Sequence, residues 1–201
     1  MSGRRSALPL EQLLDLVPDE SASDSHSAGP QSIHRSVSEG DPMPASSHWF
    51  IDALMHVHVD GTDTGDAYAL VECLAPAGHM PPPHVHRGEA EGFHVLEGEL
   101  TVHGPQGATV LRPGDSLHAP AGEPHTIEVT SAAPCRMLVV SVPAGFERFV
   151  RAFGEPAATD TLPVLDGPPD VERLARIAGE HGITFVGPPG TRPAELAPAV
   201  A

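Results

Sequence analysis

Short apolar runs divided by glycine, proline and aspartate fill the middle of the chain. Stretches rich in Val, Leu, Ile and Thr fall near 49–59, 66–75, 92–103, 107–112, 115–119, 125–130 and 135–142. Between them stand Gly61-Thr62-Asp63, Gly78, Gly104-Pro105, Pro113-Gly114-Asp115 and Ala121-Gly122-Glu123-Pro124. Many short strands with such turns at close spacing predict an all-β sandwich or barrel. No strand–helix–strand alternation precedes residue 143, which argues against a parallel sheet. The period changes after Pro143. Phe146, Phe149, Val150 and Phe153 recur at helical spacing, and Gly154 ends that run. This aromatic stripe reads as a core-facing surface. A second helix is predicted at about 170–180, with Asp170 as N-cap, Val171, Leu174, Ala175 and Ala178 on one face, and Gly182 closing its C-terminal end. The Pro- and Ala-rich end is expected to fray. At the other end, Leu10, Leu13, Leu14 and Val17 predict a short amphipathic helix over 9–17, bounded by Pro9 and Pro18. So short a helix must dock on its own domain, a second copy or a partner. Residues 18–47 are too poor in apolar side chains to bury a core and are expected to form a linker. The expected plan is an N-terminal arm (1–47), a barrel (48–145) and C-terminal helices with a tail (146–201).

Charge narrows the choice of partners. The 201 residues carry 27 Asp and Glu against 11 basic residues, all of them Arg, for a formal charge of -16. A field of that sign repels phosphate backbones and anionic membrane surfaces, so neither nucleic acid nor membrane is expected as a partner. No run of about 18 apolar residues predicts a membrane helix. Arg4-Arg5 is followed by Glu11 and Asp15 without a small-residue cleavage site, so no export signal is expected. Cys73 and Cys135 each sit in an apolar stretch, and their spacing is not that of a metal pair. Two buried, reduced thiols in a cytoplasmic protein are expected.

Histidine is the compositional anomaly. There are 13, of which seven fall between His79 and His125, and neutral imidazole is the commonest side-chain metal ligand. In an extended segment, residues two apart share a face, so His84 and His86 converge while Val85 turns away. Pro81-Pro82-Pro83 stiffens their approach. In the next strand Glu91 shares a face with Phe93 and Val95. A carboxylate aimed into a core needs a strong partner, and a divalent cation held by two imidazoles is one. Glu89 falls in the turn, which favours Glu91 as the ligand. Downstream, a Pro/Gly turn delivers His125 to the start of another strand. Three imidazoles and one carboxylate leave one or two positions open on a five- or six-coordinate metal, the mark of a catalytic rather than a closed structural site.

These segments resemble the two motifs of the cupin family. The first, G-x5-H-x-H-x4-E-x6-G, is met by Gly78, His84, His86, Glu91 and Gly98. The second, G-x5-P-x-G-x2-H-x3-N, is met by Gly114, Pro120, Gly122 and His125, with Val129 in place of the final Asn. The 15 residues between the motifs are similar to the spacing of bacterial single-domain cupins. The segment from Pro143 to Phe153 resembles the helix that follows the barrel in quercetinase-like members. The resemblance implies a double-stranded β-helix, or jelly-roll barrel. It further implies one divalent transition metal (Fe, Ni, Mn or Co, with Cu or Zn also accepted) on His84, His86, Glu91 and His125, with Glu91 doubling as a base. The activity it implies is dioxygenation of a small enolic or phenolic molecule with O2, in a homodimer. Cupins also include non-catalytic binding and sensing proteins, isomerases and polyketide cyclases, which stand as alternatives.

The remaining histidines are expected to play lesser parts. His56-Val57-His58 copies the H-x-H spacing without a glutamate in register and is expected to face solvent. His94 and His103 are expected to be exposed. His79 and His118 could line the cavity mouth or support a ligand. The predicted barrel holds four aromatics, Trp49, Phe50, Tyr68 and Phe93, which is few for stacking on a flavonol.

Overall fold

The computed structural model describes residues 46–196. The helix expected over 9–17, residues 18–45 of the linker expected over 18–47, and the last five residues lie outside them. Ser46 and Ser47, expected in the linker, begin β1 instead, because they pair with His56 and Val57 of the next strand. Among the described residues twelve strands and three α-helices are formed: β1 Ser46–Phe50, β2 Ala53–Val59, α1 Gly61–Thr64, β3 Ala69–Ala75, β4 His84–His86, β5 Ala90–Glu97, β6 Leu100–Gly104, β7 Gly107–Leu111, β8 Ser116–Ala119, β9 Thr126–Val129, β10 Cys135–Val142, α2 Phe146–Phe153, β11 Glu155–Pro156, α3 Val171–Glu180 and β12 Ile183–Phe185, with a 3-10 turn at Pro193–Glu195. Every strand pair is antiparallel. One sheet runs β11-β1-β2-β3-β10-β5-β8. Opposite it lie β7-β6-β9 and β12-β4, joined by a bridge in which His84 and His125 exchange both backbone hydrogen bonds at 2.9 Å. The sheets enclose one apolar core, as the alternation along their strands requires. Val71 and Cys73 of β3, Phe93 and Val95 of β5, and Met137 and Val139 of β10 point into it.

The short strands follow from local chemistry. The 49–59 run breaks at the two-residue turn Ile51-Asp52 to give β1 and β2. The 92–103 run breaks at Gly98, where φ is 84°. A Cβ there would lie 2.9 Å from Cys135 Cα and 3.0 Å from the Pro134 carbonyl oxygen. Gly98→Ala is therefore expected to destabilise the fold by about 2 kcal/mol or more, through backbone strain and overlap together, as read from urea midpoints. Gly61-Thr62-Asp63, expected as a simple turn, winds into the single-turn α1. Asp60 caps it through the Thr62 amide at 2.7 Å, and the carboxylate of Asp63 accepts from the Asp60 amide.

The C-terminal elements are part of the domain. α2 and α3 form over the expected residues, and Asp170 caps α3 through the Arg173 amide at 2.9 Å. The face of α3 is corrected: it buries Leu174, Ile177 and Ala178, while Val171 and Ala175 are exposed, because the core lies on the side that Ile177 shares with Leu174 and Ala178. Phe50 meets Phe149 and Phe153 edge-on at 5.1 and 5.5 Å. Ion pairs of Arg148 with Asp66 and of Arg151 with Asp60 tie α2 to the α1 region. β12, which has no sequence-level expectation, pairs with β4. Both cysteines are buried free thiols, as expected. Burial pushes the Cys135 thiol up to about 11 and raises that of Cys73 as well, which keeps both unreactive. No helix among the described residues is long and apolar enough to cross a membrane.

Candidate metal centre

Four side chains from two strands and one turn converge inside the barrel. β4 supplies His84 and His86, whose ring centroids are 5.1 Å apart, as period-two geometry demands. β5 supplies Glu91 on the inward face it shares with Phe93 and Val95. His125, at the entry to β9, is the cross-strand partner of His84, with ring centroids 4.6 Å apart. The turn that delivers it docks on β4, because the Gly122 amide donates to the His86 carbonyl at 2.8 Å. One donor atom from each of the four residues lies within 4.8 Å of all the others. Glu89 stays outside the cluster.

Hydrogen bonding prepares the rings to face inward. Nδ1 of His84 donates to the Pro82 carbonyl at 2.8 Å, and Nδ1 of His125 donates to the Glu123 carbonyl at 3.2 Å. A carbonyl can only accept, so each of these protons sits on Nδ1 and each Nε2 keeps its lone pair. Nδ1 of His86 lies 3.2 Å from Glu89 Oε1. Glu89 thus sets a carboxylate against the ring edge, a placement that the residue's position in a turn conceals. Oε2 of Glu91 sits 2.9 Å from His125 Nε2 and 3.3 Å from His86 Nε2. Two acceptors that close, in a buried site, call for a cation between them. Nε2 of His86 is buried with no hydrogen-bond partner. This donor set fits a divalent transition metal.

Two of the charge states fit as well. Burial pushes His84 down to about 3, helped by the neighbouring His125, so that ring is neutral. Burial alone would raise Glu91, but the imidazoles around it, His86 foremost, outweigh burial and hold it at about 2. His86 moves the other way. Burial lowers it, and the Glu91 and Glu89 carboxylates raise it by more.

Around the centre lies an apolar cavity of about 70 Å³. Each imidazole faces a phenyl ring: His84 meets Phe185 at 6.3 Å, His86 meets Phe146 at 6.5 Å and His125 meets Phe93 at 6.1 Å. Four aromatics were expected in the barrel. Of these Phe50 and Phe93 line the cavity, whereas Tyr68 is exposed. Phe146, Phe149 and Phe185 add three rings from beyond the barrel. The stripe on α2 is therefore core and site wall together, a double use that helical spacing alone does not reveal. Phe149→Ala is expected to destabilise the fold by about 3–5 kcal/mol while enlarging the cavity, seen as a lower melting temperature with metal content retained.

The other histidines fall elsewhere. His56 and His58 lie on the outer face, bonded to Ser47 and Glu72. His94 is half-buried against Ser116. His103 corrects the expectation of exposure: it is buried, with Nε2 2.8 Å from Glu128 Oε2. β6 is covered on both sides, so neither of its faces reaches open water. His118 is exposed on the barrel exterior, away from the cavity, while His79 is buried and lines it.

The family described as Cupin domain matches residues 70–141. Quercetin 2,3-dioxygenase of Bacillus subtilis (strain 168) is 32% identical over 105 residues, which cover 52% of this chain and 31% of that protein. The chain thus spans about a third of the length of that curated relative. Among solved structures, the polyketide cyclase RemF from Streptomyces resistomycificus aligns at 24% identity and TM-score 0.41, over 56% of this chain and 73% of that one. A sugar phosphate isomerase of the cupin superfamily from Silicibacter pomeroyi aligns at 24% identity and TM-score 0.41, over 47% and 61%.

Proposed function

We propose that this chain, which belongs to the cupin superfamily, holds one divalent transition metal on His84, His86, Glu91 and His125 and oxidises a small enolic or phenolic molecule with O2. The observation that carries the reading is the convergence of four buried donors whose His84 and His125 rings have their Nδ1 protons already committed outward. Once bound, the metal would lower the proton affinity of a substrate hydroxyl and favour its electron-rich form. The chain's own residues do the rest. His84, His86 and His125 bind as neutral rings. Glu91 makes its contacts through Oε2, which leaves Oε1 to take a proton from a bound hydroxyl. The phenyl rings of Phe93, Phe146 and Phe185 exclude water and strengthen each charge interaction inside.

Cavity size restricts the substrate. About 70 Å³ compares with about 30 Å³ for a single water in the liquid, and with about 300–1,000 Å³ for sites that take drug-sized ligands. A flavonol does not fit unless α2 and β12 move, so a molecule of a few carbon atoms is the expected substrate. The same small cavity supports a second reading, a non-catalytic module that binds or senses a small molecule. Oxygen uptake tests the choice. Metal-loaded protein is given small enolisable compounds and a flavonol, with Glu91→Gln as control. Uptake with the small compounds that is lost in the control supports the dioxygenase. Ligand binding without oxygen uptake supports the sensor, and turnover without oxygen supports an isomerase or cyclase.

A further inference from the structure

One titratable pair, a buried imidazole on a half-buried carboxylate, has no part in the metal centre. Nδ1 of His79 lies 2.5 Å from Oδ1 of Asp52. A carboxylate accepts, so the imidazole proton sits on Nδ1 and Nε2 keeps its lone pair. Nε2 has no hydrogen-bond partner among the described residues, and the ring lines the same cavity as the metal centre. The backbone already fixes this residue. The His79 amide donates to the Pro76 carbonyl at 3.1 Å, and its carbonyl accepts from the Val129 amide at 3.0 Å. The side-chain pair is not needed to hold the loop.

The turn that carries Asp52 is itself unusual. Ile51, its first residue, has φ 58°, at a position where hairpin turns ordinarily place glycine. A β-branched residue in that region is strained. Its side chain lines the cavity, while the next residue reaches His79. The hairpin is thus shaped for the cavity rather than for an easy turn. Apart from the four clustered donors, His79 and the Cys73 thiol are the only polar side chains among the cavity-lining residues. Apolar cavities take their orientation and specificity from a few placed polar groups.

We infer that His79, oriented by Asp52, is a hydroxyl-binding subsite. Its Nε2 accepts the hydrogen bond of a hydroxyl on a small, otherwise apolar ligand whose second oxygen faces His84, His86, Glu91 and His125. In a reaction that ionises this hydroxyl, the O–H bond breaks and the proton forms a bond to Nε2. The electron pair stays on oxygen, and Asp52 neutralises the imidazolium. The placement of the second oxygen rests on the metal reading; the role of His79 does not.

The test compares two probes that differ by one hydroxyl, 4-hydroxy-2-butanone and 2-butanone, by calorimetric titration. Wild type, His79→Leu, His79→Gln and Asp52→Asn are each titrated in cobalt-loaded and metal-free form. The wild type is expected to prefer the hydroxylated ketone by at least about tenfold, the worth of one good hydrogen bond. His79→Leu is expected to lose that preference with cobalt stoichiometry unchanged, and Asp52→Asn to weaken it. His79→Gln, whose amide oxygen can still accept, is expected to regain part of it. Equal affinity for the two ketones in the wild type overturns the inference, as does a preference that survives in a folded His79→Leu or that stands undiminished in a folded His79→Gln. A wild type that takes up no cobalt removes the metal reading, while the hydroxyl preference of the metal-free protein still decides for or against His79.

Discussion

His86→Ala is expected to lower metal affinity by more than about 100-fold and to abolish oxygen uptake. Loss of a group that merely orients a ligand already lowers affinity by about 10–100-fold, and His86 supplies a donor itself. Its Nε2 is the buried atom without a hydrogen-bond partner, and it lies 3.3 Å from Glu91 Oε2. Removing the ring also strands Glu89, whose Oε1 lies 3.2 Å from His86 Nδ1 in a site largely closed to water. Metal titration against a competing chelator measures the change. Glu89→Gln should fall between wild type and His86→Ala, because it disturbs orientation and leaves every proposed donor in place. Equal affinity in wild type and His86→Ala would contradict the assignment of this ring.

The second large effect concerns pH. Affinity for cobalt is expected to rise by at least about tenfold per pH unit over a window set chiefly by His86, then to level off, because the His86 proton must leave for the metal to bind. His84 requires no such loss: burial has already pushed it to about 3. Glu91 is ionised above about 2, since the imidazoles around it outweigh burial. His86 alone of these three is raised, burial being outweighed by Glu91 and Glu89. A raised value in the folded protein has a definite sign. The protonated ring stabilises the metal-free fold fully below its ordinary value of 6.5, and that contribution fades as pH rises through the raised value. Metal binding replaces it in the same window, so the gain in melting temperature on adding cobalt should grow with pH there. Glu89→Gln removes one of the carboxylates that raise His86 and should start the plateau at lower pH. Titrations from about pH 5 to about pH 8 bracket the histidine range; a flat profile would contradict the proton count.

How much of this was legible along the chain depends on the range of the signal. His84 and His86 are two apart in a strand, and Glu91 keeps step with Phe93 and Val95. Period two therefore predicts their common direction without any knowledge of partners. The glycines that break the strands act locally too, as at Gly98, where the neighbouring backbone leaves no room for a side chain. Pairing between distant segments leaves no such mark. Nothing near Ile183–Phe185 announces that it will lie beside β4 and set Phe185 against His84. His103 looked exposed because its partner Glu128 stands 25 positions away on a neighbouring strand. Asp52 and His79 are 27 apart and met only once the β1–β2 turn and the loop before β4 were both placed. Glu89 was passed over because a turn position says little about direction. The signal that could have raised its standing is its i,i+3 relation to His86.

The central claim is that this barrel holds its metal on three imidazoles and one carboxylate. A crystal of cobalt-loaded protein, recorded at the cobalt absorption edge, tests it most directly. The account predicts one anomalous peak inside the barrel, about 2.0–2.2 Å from a nitrogen of His84, His86 and His125 and from an oxygen of Glu91. A peak elsewhere, or a protein that binds no cobalt while these four side chains remain in place, would contradict it.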